Sequence, residues 1–509
     1  MFYVPLYVEA IRSRPLLLFW AATLAQAAIW FAVPALFYAS PPGELAQTLA
    51  LGHGFDLAGD TGPPLAYWLA AAVFRAAGLF GIYALAQVCV IATYWCVFAL
   101  SRAIVGASHA AVAVLLMVGI SVFTLPTPDF GVSVLAMPLW AAALLFYWRA
   151  AMQKQARSWY LFGAAAALLL VTTNAALIFL GALMLFTAAT GRGRAALTSS
   201  HPWIVVIVLS AFLFLHLIWL QGEGDKFTTA LARLRMAEAA RQNTTATLRL
   251  LFALALTHAG LAILVMLGCG WPHAPANPAP PLSRLPVDPT AASFVKVFAL
   301  WPALLAISFA VVANEPQPVG GLAPLLVLSG LATVVAAGDA ITLYHQRILG
   351  YAWAGLLVVP ALFVPIVIAT LPWATGTELK IAQPAGAMGR FFANTFARRT
   401  GQPLAVVTGD ARMAMLIAIS ASSRPGVFLP ADPAHSPDVT LDDIRKKGAV
   451  VVWPAAGTSP VPPPEIKAYF PDLVAEVPQI FARPIEGRLP PFRIGWGVIR
   501  PGSVAPTPH

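Results

Sequence analysis

The sequence predicts an α-helical polytopic membrane protein of about eleven transmembrane helices, followed by a small C-terminal α/β soluble domain. Three observations predict it. Of the 509 residues, 59% are hydrophobic and only 10% are charged, against roughly 25% charged in an ordinary soluble domain. The apolar residues fall in long blocks, and mean hydropathy is +0.77. Beyond about residue 376 those blocks shorten to strand length. The net charge of +10 is no argument for nucleic acid as a partner, because the cytoplasmic loops of membrane proteins collect Lys and Arg anyway.

The chain opens with Arg12 and Arg14 ahead of an apolar run from Pro15 to Tyr38. That run exceeds the ~7–15 apolar residues of a signal peptide and reads as an uncleaved signal-anchor with its basic flank in the cytoplasm. A span needs about 20 apolar residues. Candidates lie near 15–38, 79–100, 109–125, 130–149, 159–173, 175–190, 203–221, 248–269, 292–312, 320–337 and 349–371. The fifth and sixth meet at Thr172-Thr173-Asn174, and their division is open. With the N-terminus inside, Arg102, Arg149, Arg157, Arg192, Arg194 and Arg347 all fall in inner loops, as the positive-inside bias asks. An odd number of spans leaves the C-terminus outside. The expected place is a bacterial inner membrane, with the soluble domain in the periplasm. Cys89, Cys96 and Cys269 lie in apolar segments and spell neither a metal site nor a disulfide framework, so buried packing is expected. His216 and His258 read as satisfied core residues.

The expected boundary separates residues 1–375, with outer loops 39–78 and 221–247, from a domain at 376–509. In the latter, "PLAVVT" (403–408), "GVFLP" (426–430), "GAVVVW" (448–453) and "FRIGWGVI" (492–499) read as strands. Helices are expected over 410–421 and from the capped Thr440 onward. There is no Gly-rich phosphate loop, zinc spacing or nucleophile elbow. "TGDAR" (408–412) follows a strand and opens a helix, and a structural or recognition role is expected for it rather than catalysis.

Acids at a membrane face are costly unless wet or paired, so each is a candidate. The outer set is Glu44, Asp56 and Asp60 in the first loop and Asp129 in the turn 125–131. His53, Arg75 and the basic stretch bearing Lys226, Arg233 and Arg235 accompany them. A carboxylate can take a proton from an acceptor hydroxyl, and cations can stabilise charge on a departing phosphate. Each has a plainer reading: loop acids are often only solvated, Arg75 can snorkel to the headgroups, and Arg233 and Arg235 can bind anionic lipid. Two or three carboxylates are also able to hold a divalent cation, though no spacing demands one. A transporter would call for an internal repeat and helix breaks at midspan, and neither is clear.

The ordered set resembles one family. An acidic first loop with "GELAQTLALG" (43–52), then "GDTGPPLAYWL" (59–69), is similar to the first periplasmic loop of the protein O-mannosyltransferase and aminoarabinose-transferase superfamily. "TPDFGVSVLAMPLWAAALLFYWRA" (127–150) is similar to its second acidic motif, and "LLLVTTNAALIF" (168–179) to its broken fifth and sixth spans. The resemblance implies a GT-C-type integral-membrane glycosyltransferase. It would move a sugar from a polyprenyl-phosphate donor to a lipid, glycan or protein acceptor at the periplasmic face. It implies Asp129, Asp60 and Glu44 as catalytic carboxylates, with Asp56, His53, Arg75, Lys226, Arg233, Arg235 and Tyr67 around the substrates. The sequence departs from the pattern at Gly43 (usually Asp), Gly62 (often basic) and Thr173 (commonly Lys). Either another acid of the first loop has taken over as base, or the chain is a non-catalytic binder of lipid-linked glycans or an assembly partner.

Overall fold

The computed structural model describes residues 6–52, 62–221, 239–271, 280–313, 320–430, 439–455, 457–459 and 461–502. The chain packs into two compact units. One comprises residues 1–32, 84–128 and 132–362, and the other residues 33–83, 129–131 and 363–509.

The first unit is helical. Every apolar block read as a candidate span forms a helix or a helix pair. Among the described residues, five helices are long and apolar enough to cross a membrane alone: Pro15–Phe37, Leu65–Val105, Val132–Met152, Pro289–Ser308 and Gln346–Ala374. A bent pair, Thr247–Thr257 with Ala259–Gly268, makes a sixth if it is one span. The others, among them Ala107–Met117, Ala156–Leu170 and Ala175–Ala189, are shorter. The last two stop and restart around Thr172 and Thr173: the Thr172 hydroxyl donates to Leu168 O (2.7 Å), and Thr173 Oγ1 accepts from Ala175 N (3.2 Å). The fifth and sixth candidates are therefore two helices. Several buried polar side chains find hydrogen-bond partners within the unit, as a low-dielectric interior favours. Gln26 donates to Phe123 O (2.6 Å) and accepts from the Tyr94 hydroxyl (3.1 Å). Gln87 donates to Thr127 Oγ1 (3.2 Å). His216 Nδ1 lies 2.7 Å from Leu170 O in the interior, and the half-buried His258 joins Leu254 O and Ser329 Oγ, so each ring is held within the helical unit. Of the cysteines, Cys89 is buried and Cys96 half-buried, but Cys269 is exposed. The expectation of buried packing fails there because Cys269 sits just past the end of Ala259–Gly268 and lines an open cavity of the unit.

The second unit centres on a five-stranded sheet. Its order is Gly426–Phe428, Val406–Gly409, Ala449–Pro454, Phe492–Ile499, Ala475–Phe481. The first three strands are parallel and the last two antiparallel. Ala449–Val452 is buried throughout, as expected of a central strand covered on both faces. Ala411–Ser420 is capped by Asp410, whose carboxylate accepts from Met413 N (2.9 Å), and Leu441–Lys447 carries a Thr440/Asp443 capping box. Two further helices, Ala385–Thr400 and Pro464–Tyr469, complete the fold. Phe392, Phe396, Leu416, Val450 and Ile494 form the main core, and Ala46 of the first loop packs into it.

Candidate functional site

The site is built on the short helix Gly43–Leu51. Its inward residues, Leu45, Ala46, Thr48 and Leu49, are buried. A helix leaves its first amides without intrahelical acceptors, and Pro42, the residue before this one, offers no capping side chain. The missing acceptor comes from elsewhere in the chain. Asp129 Oδ1 accepts from Leu45 N at 2.6 Å, and the Glu44 amide also bonds this carboxylate. An anion at a helix N-terminus is favoured twice over, by those amides and by the helix dipole. Burial pushes the Asp129 carboxyl above its ordinary range, while the two amides and the Arg412 charge pull the other way and fall short. The result is a half-buried carboxylate of raised basicity.

Glu44 is exposed at the first turn of the same helix. Its carboxylate lies against Gly131, two residues beyond Asp129, where a Cβ would collide with it. Thus Asp129 and Glu44, neither near the other in sequence, share one corner.

Arg412 completes that corner. It sits in the first turn of Ala411–Ser420, a place where the helix dipole disfavours a cation. Carbonyl oxygens compensate: its Nη2 donates to Pro41 O (2.8 Å) and Lys380 O (3.1 Å), Nη1 to Pro42 O (3.3 Å), and Nε to Gln383 Oε1 (3.3 Å). The planar fork of guanidinium suits such divergent acceptors. Burial lowers its pKa, and the charges of Asp129 and Asp410 oppose that. The "TGDAR" stretch is therefore a clip that ties the entry to the first-loop helix to the α/β fold. The sequence pattern alone assigns Arg412 no role. The available signal was a cation in a helix's first turn, which needs a partner.

Tyr67 and Arg75 lie on the helix that starts at Leu65, directly after Pro63-Pro64. That helix breaks at Gly78, whose φ of 62° and ψ of −156° are open to glycine, so the segment carrying Tyr67 and Arg75 is separate from the second span. A Cβ at Gly52 would lie 2.6 Å from the Tyr67 carbonyl oxygen, so the first-loop helix must end in glycine there. Arg75 is exposed and lines a shallow depression of about 30 Å³ with Phe74 and Arg424, whose guanidinium lies 4.7 Å from the Phe74 ring centre. His53, Asp56, Asp60, Lys226, Arg233 and Arg235 lie outside the described residues. Among the described residues, no three His, Cys, Asp or Glu side chains come together as a metal site.

Residues 61–219 match the family model described as dolichyl-phosphate-mannose-protein mannosyltransferase. No curated protein matches the chain. In structure it is similar to ArnT from Cupriavidus metallidurans bound to undecaprenyl phosphate, with a TM-score of 0.56, 13% identity, and coverage of 95% of this chain and 97% of that one. The fold is that of the GT-C glycosyltransferases. The resemblance drawn from the first loop and the Pro-Asp turn is borne out. Apo ArnT from the same organism aligns at a TM-score of 0.48 with 14% identity, over 95% of this chain and 97% of that one. The archaeal oligosaccharyltransferase AglB from Archaeoglobus fulgidus, in complex with an inhibitory peptide and a dolichol-phosphate, aligns at 0.44 with 11% identity. It covers 87% of this chain and 70% of that one. The Asp129 corner lies in the segments that carried the resemblance.

Proposed function

We propose that this chain is an integral-membrane glycosyltransferase that moves a sugar from a polyprenyl-phosphate donor to a lipid, glycan or protein acceptor at the periplasmic face of a bacterial inner membrane. The observation that carries the reading is the Asp129 carboxylate, half-buried, raised in basicity and held at the N-terminus of the first-loop helix beside Glu44. In the reaction, a carboxylate of this corner takes the proton of the acceptor hydroxyl. The acceptor oxygen bonds to the anomeric carbon, the bond from that carbon to the phosphate oxygen breaks, and polyprenyl phosphate departs with the electron pair. Asp60 is a further catalytic carboxylate, Arg75, Lys226, Arg233 and Arg235 neutralise the phosphates, His53, Asp56 and Tyr67 contact the sugar or acceptor, and the soluble portion from residue 376 stays outside the membrane. ArnT, seen with undecaprenyl phosphate, supports this donor class.

A second reading has its own observation. Asp129 is engaged in capping a helix, and Gly43 stands where the family commonly has an acid. On that reading the chain binds a lipid-linked glycan without turnover.

The test is to incubate detergent-purified protein with radiolabelled polyprenyl-phosphate sugars and a membrane lipid extract. Label moving to a new species, and lost in Asp129→Asn or Glu44→Gln, supports the transferase. Tight donor binding with no transfer across the panel supports the second reading.

A further inference from the structure

The helical unit holds a cavity of about 400 Å³, within the ~300–1,000 Å³ of small-molecule sites. Its lining includes Ala22, Leu116, Val265, Val334, Leu349 and Trp353. By the alternation of the spans, these residues sit in the halves nearest the N-terminal side of the membrane. Apolar cavities exclude water and take apolar ligands. Thr333, Thr342 and Gln346 interrupt the apolar lining, and Gln346 stands apart. Gln346 is only 7% exposed, and its Oε1 has no hydrogen-bond partner among the described residues. Its Nε2 reaches only Leu343 O, at 3.4 Å. A buried amide oxygen left unpaired is costly, and it marks a place where a donor belongs. The next residue, Arg347, is exposed.

We infer that this cavity is a lipid site. It seats one acyl chain of a bilayer phospholipid whose headgroup carries an N–H or O–H donor. The chain lies along Leu116, Val265 and Trp353, the donor bonds Gln346 Oε1, and Arg347 faces the phosphate. The bilayer is the source of the occupant because the lining belongs to the membrane-spanning helices. The assignment is independent of sugar transfer and stands or falls without it.

The probe is a phosphatidylethanolamine bearing a diazirine on one acyl chain, in vesicles of phosphatidylethanolamine and phosphatidylglycerol containing the purified full-length protein. Photolysis should label peptides from Ala107–Met117 and from the first turns of Gln346–Ala374. Ala22→Trp, which fills the cavity, should cut that label about tenfold. Should that variant not purify as a single species, Val334→Phe fills the same space from another helix. Gln346→Leu should cut labelling about fivefold, the scale of one lost buried hydrogen bond. A phosphatidylcholine probe, which has no headgroup donor, should label wild type and Gln346→Leu alike. Equal labelling of wild type and both filled variants would overturn the site. Equal labelling of wild type and Gln346→Leu by the ethanolamine probe would overturn the donor.

Discussion

Asp129 caps a helix and, on the proposed function, also serves as a base, and two substitutions separate the roles. Asp129→Ala removes the acceptor of the Leu45 and Glu44 amides. Loss of a cap costs about 0.5–2 kcal/mol. A hydrogen bond to a charged acceptor contributes about 1.5–3 kcal/mol, part of which is returned because a buried charge is removed as well. A net cost of about 1–2 kcal/mol for opening Gly43–Leu51 corresponds to amide exchange roughly 5–30 times faster at Leu45. Asp129→Asn keeps an oxygen acceptor, so exchange there should rise less than about threefold. It cannot take a proton, so transfer should fall by about 10²–10⁴. Hydrogen exchange with peptide-level mass spectrometry reads the first effect, and the radiolabel assay reads the second. Unchanged exchange in Asp129→Ala would refute the cap. Full transfer in Asp129→Asn would refute the base.

The same carboxyl sets a pH dependence. Its folded pKa lies above the unfolded value of about 3.9. Its contribution to stability is therefore full below that value and is lost as pH rises through the folded pKa, a slope that Asp129→Asn should flatten in thermal melts. As a base it should place the acid limb of transfer above the ordinary carboxylate range, and Arg412→Gln, by removing a charge that favours the ionised form, should move the limb higher still. Gly131→Ala should displace the Glu44 carboxylate without deleting it, so transfer should fall as in Glu44→Gln while the melting temperature stays near wild type. Glu378→Ala should remove the ion-pair partner of Arg483 (2.7 Å), which keeps Pro490 O and the Phe492 ring, and cost about 1.5–3 kcal/mol of local stability measured by exchange across 475–499.

The membrane part was legible because hydrocarbon demands long apolar helices, and the first loop because its stretches 43–52 and 59–69 resemble the family's loop. In the soluble part, the apolar strands and the Asp410 and Thr440 caps were legible from local pattern and capping chemistry. The strand Ala475–Phe481 was not. Pro478 reads as a strand breaker, and it is tolerated because the strand is at an edge and the register slips between Glu476 and Gln479. At the site, Asp129 and Glu44 stood out as acids in apolar surroundings. Their meeting was hidden, since nothing local announces that a turn at 129 caps a helix at 43. Arg412 was hidden more deeply, because its partners are carbonyl oxygens, which every residue has.

The Arg412 clip also orders the molecule's assembly in time. Its bond to Pro41 O joins groups 371 residues apart. At about 5–20 residues per second of synthesis, the first loop waits roughly 20–70 s after it emerges before the arginine that fastens it exists. Until then the first-loop helix lacks its anchor, so the Asp129 corner matures last, and a chain cut short before residue 412 would never fasten it.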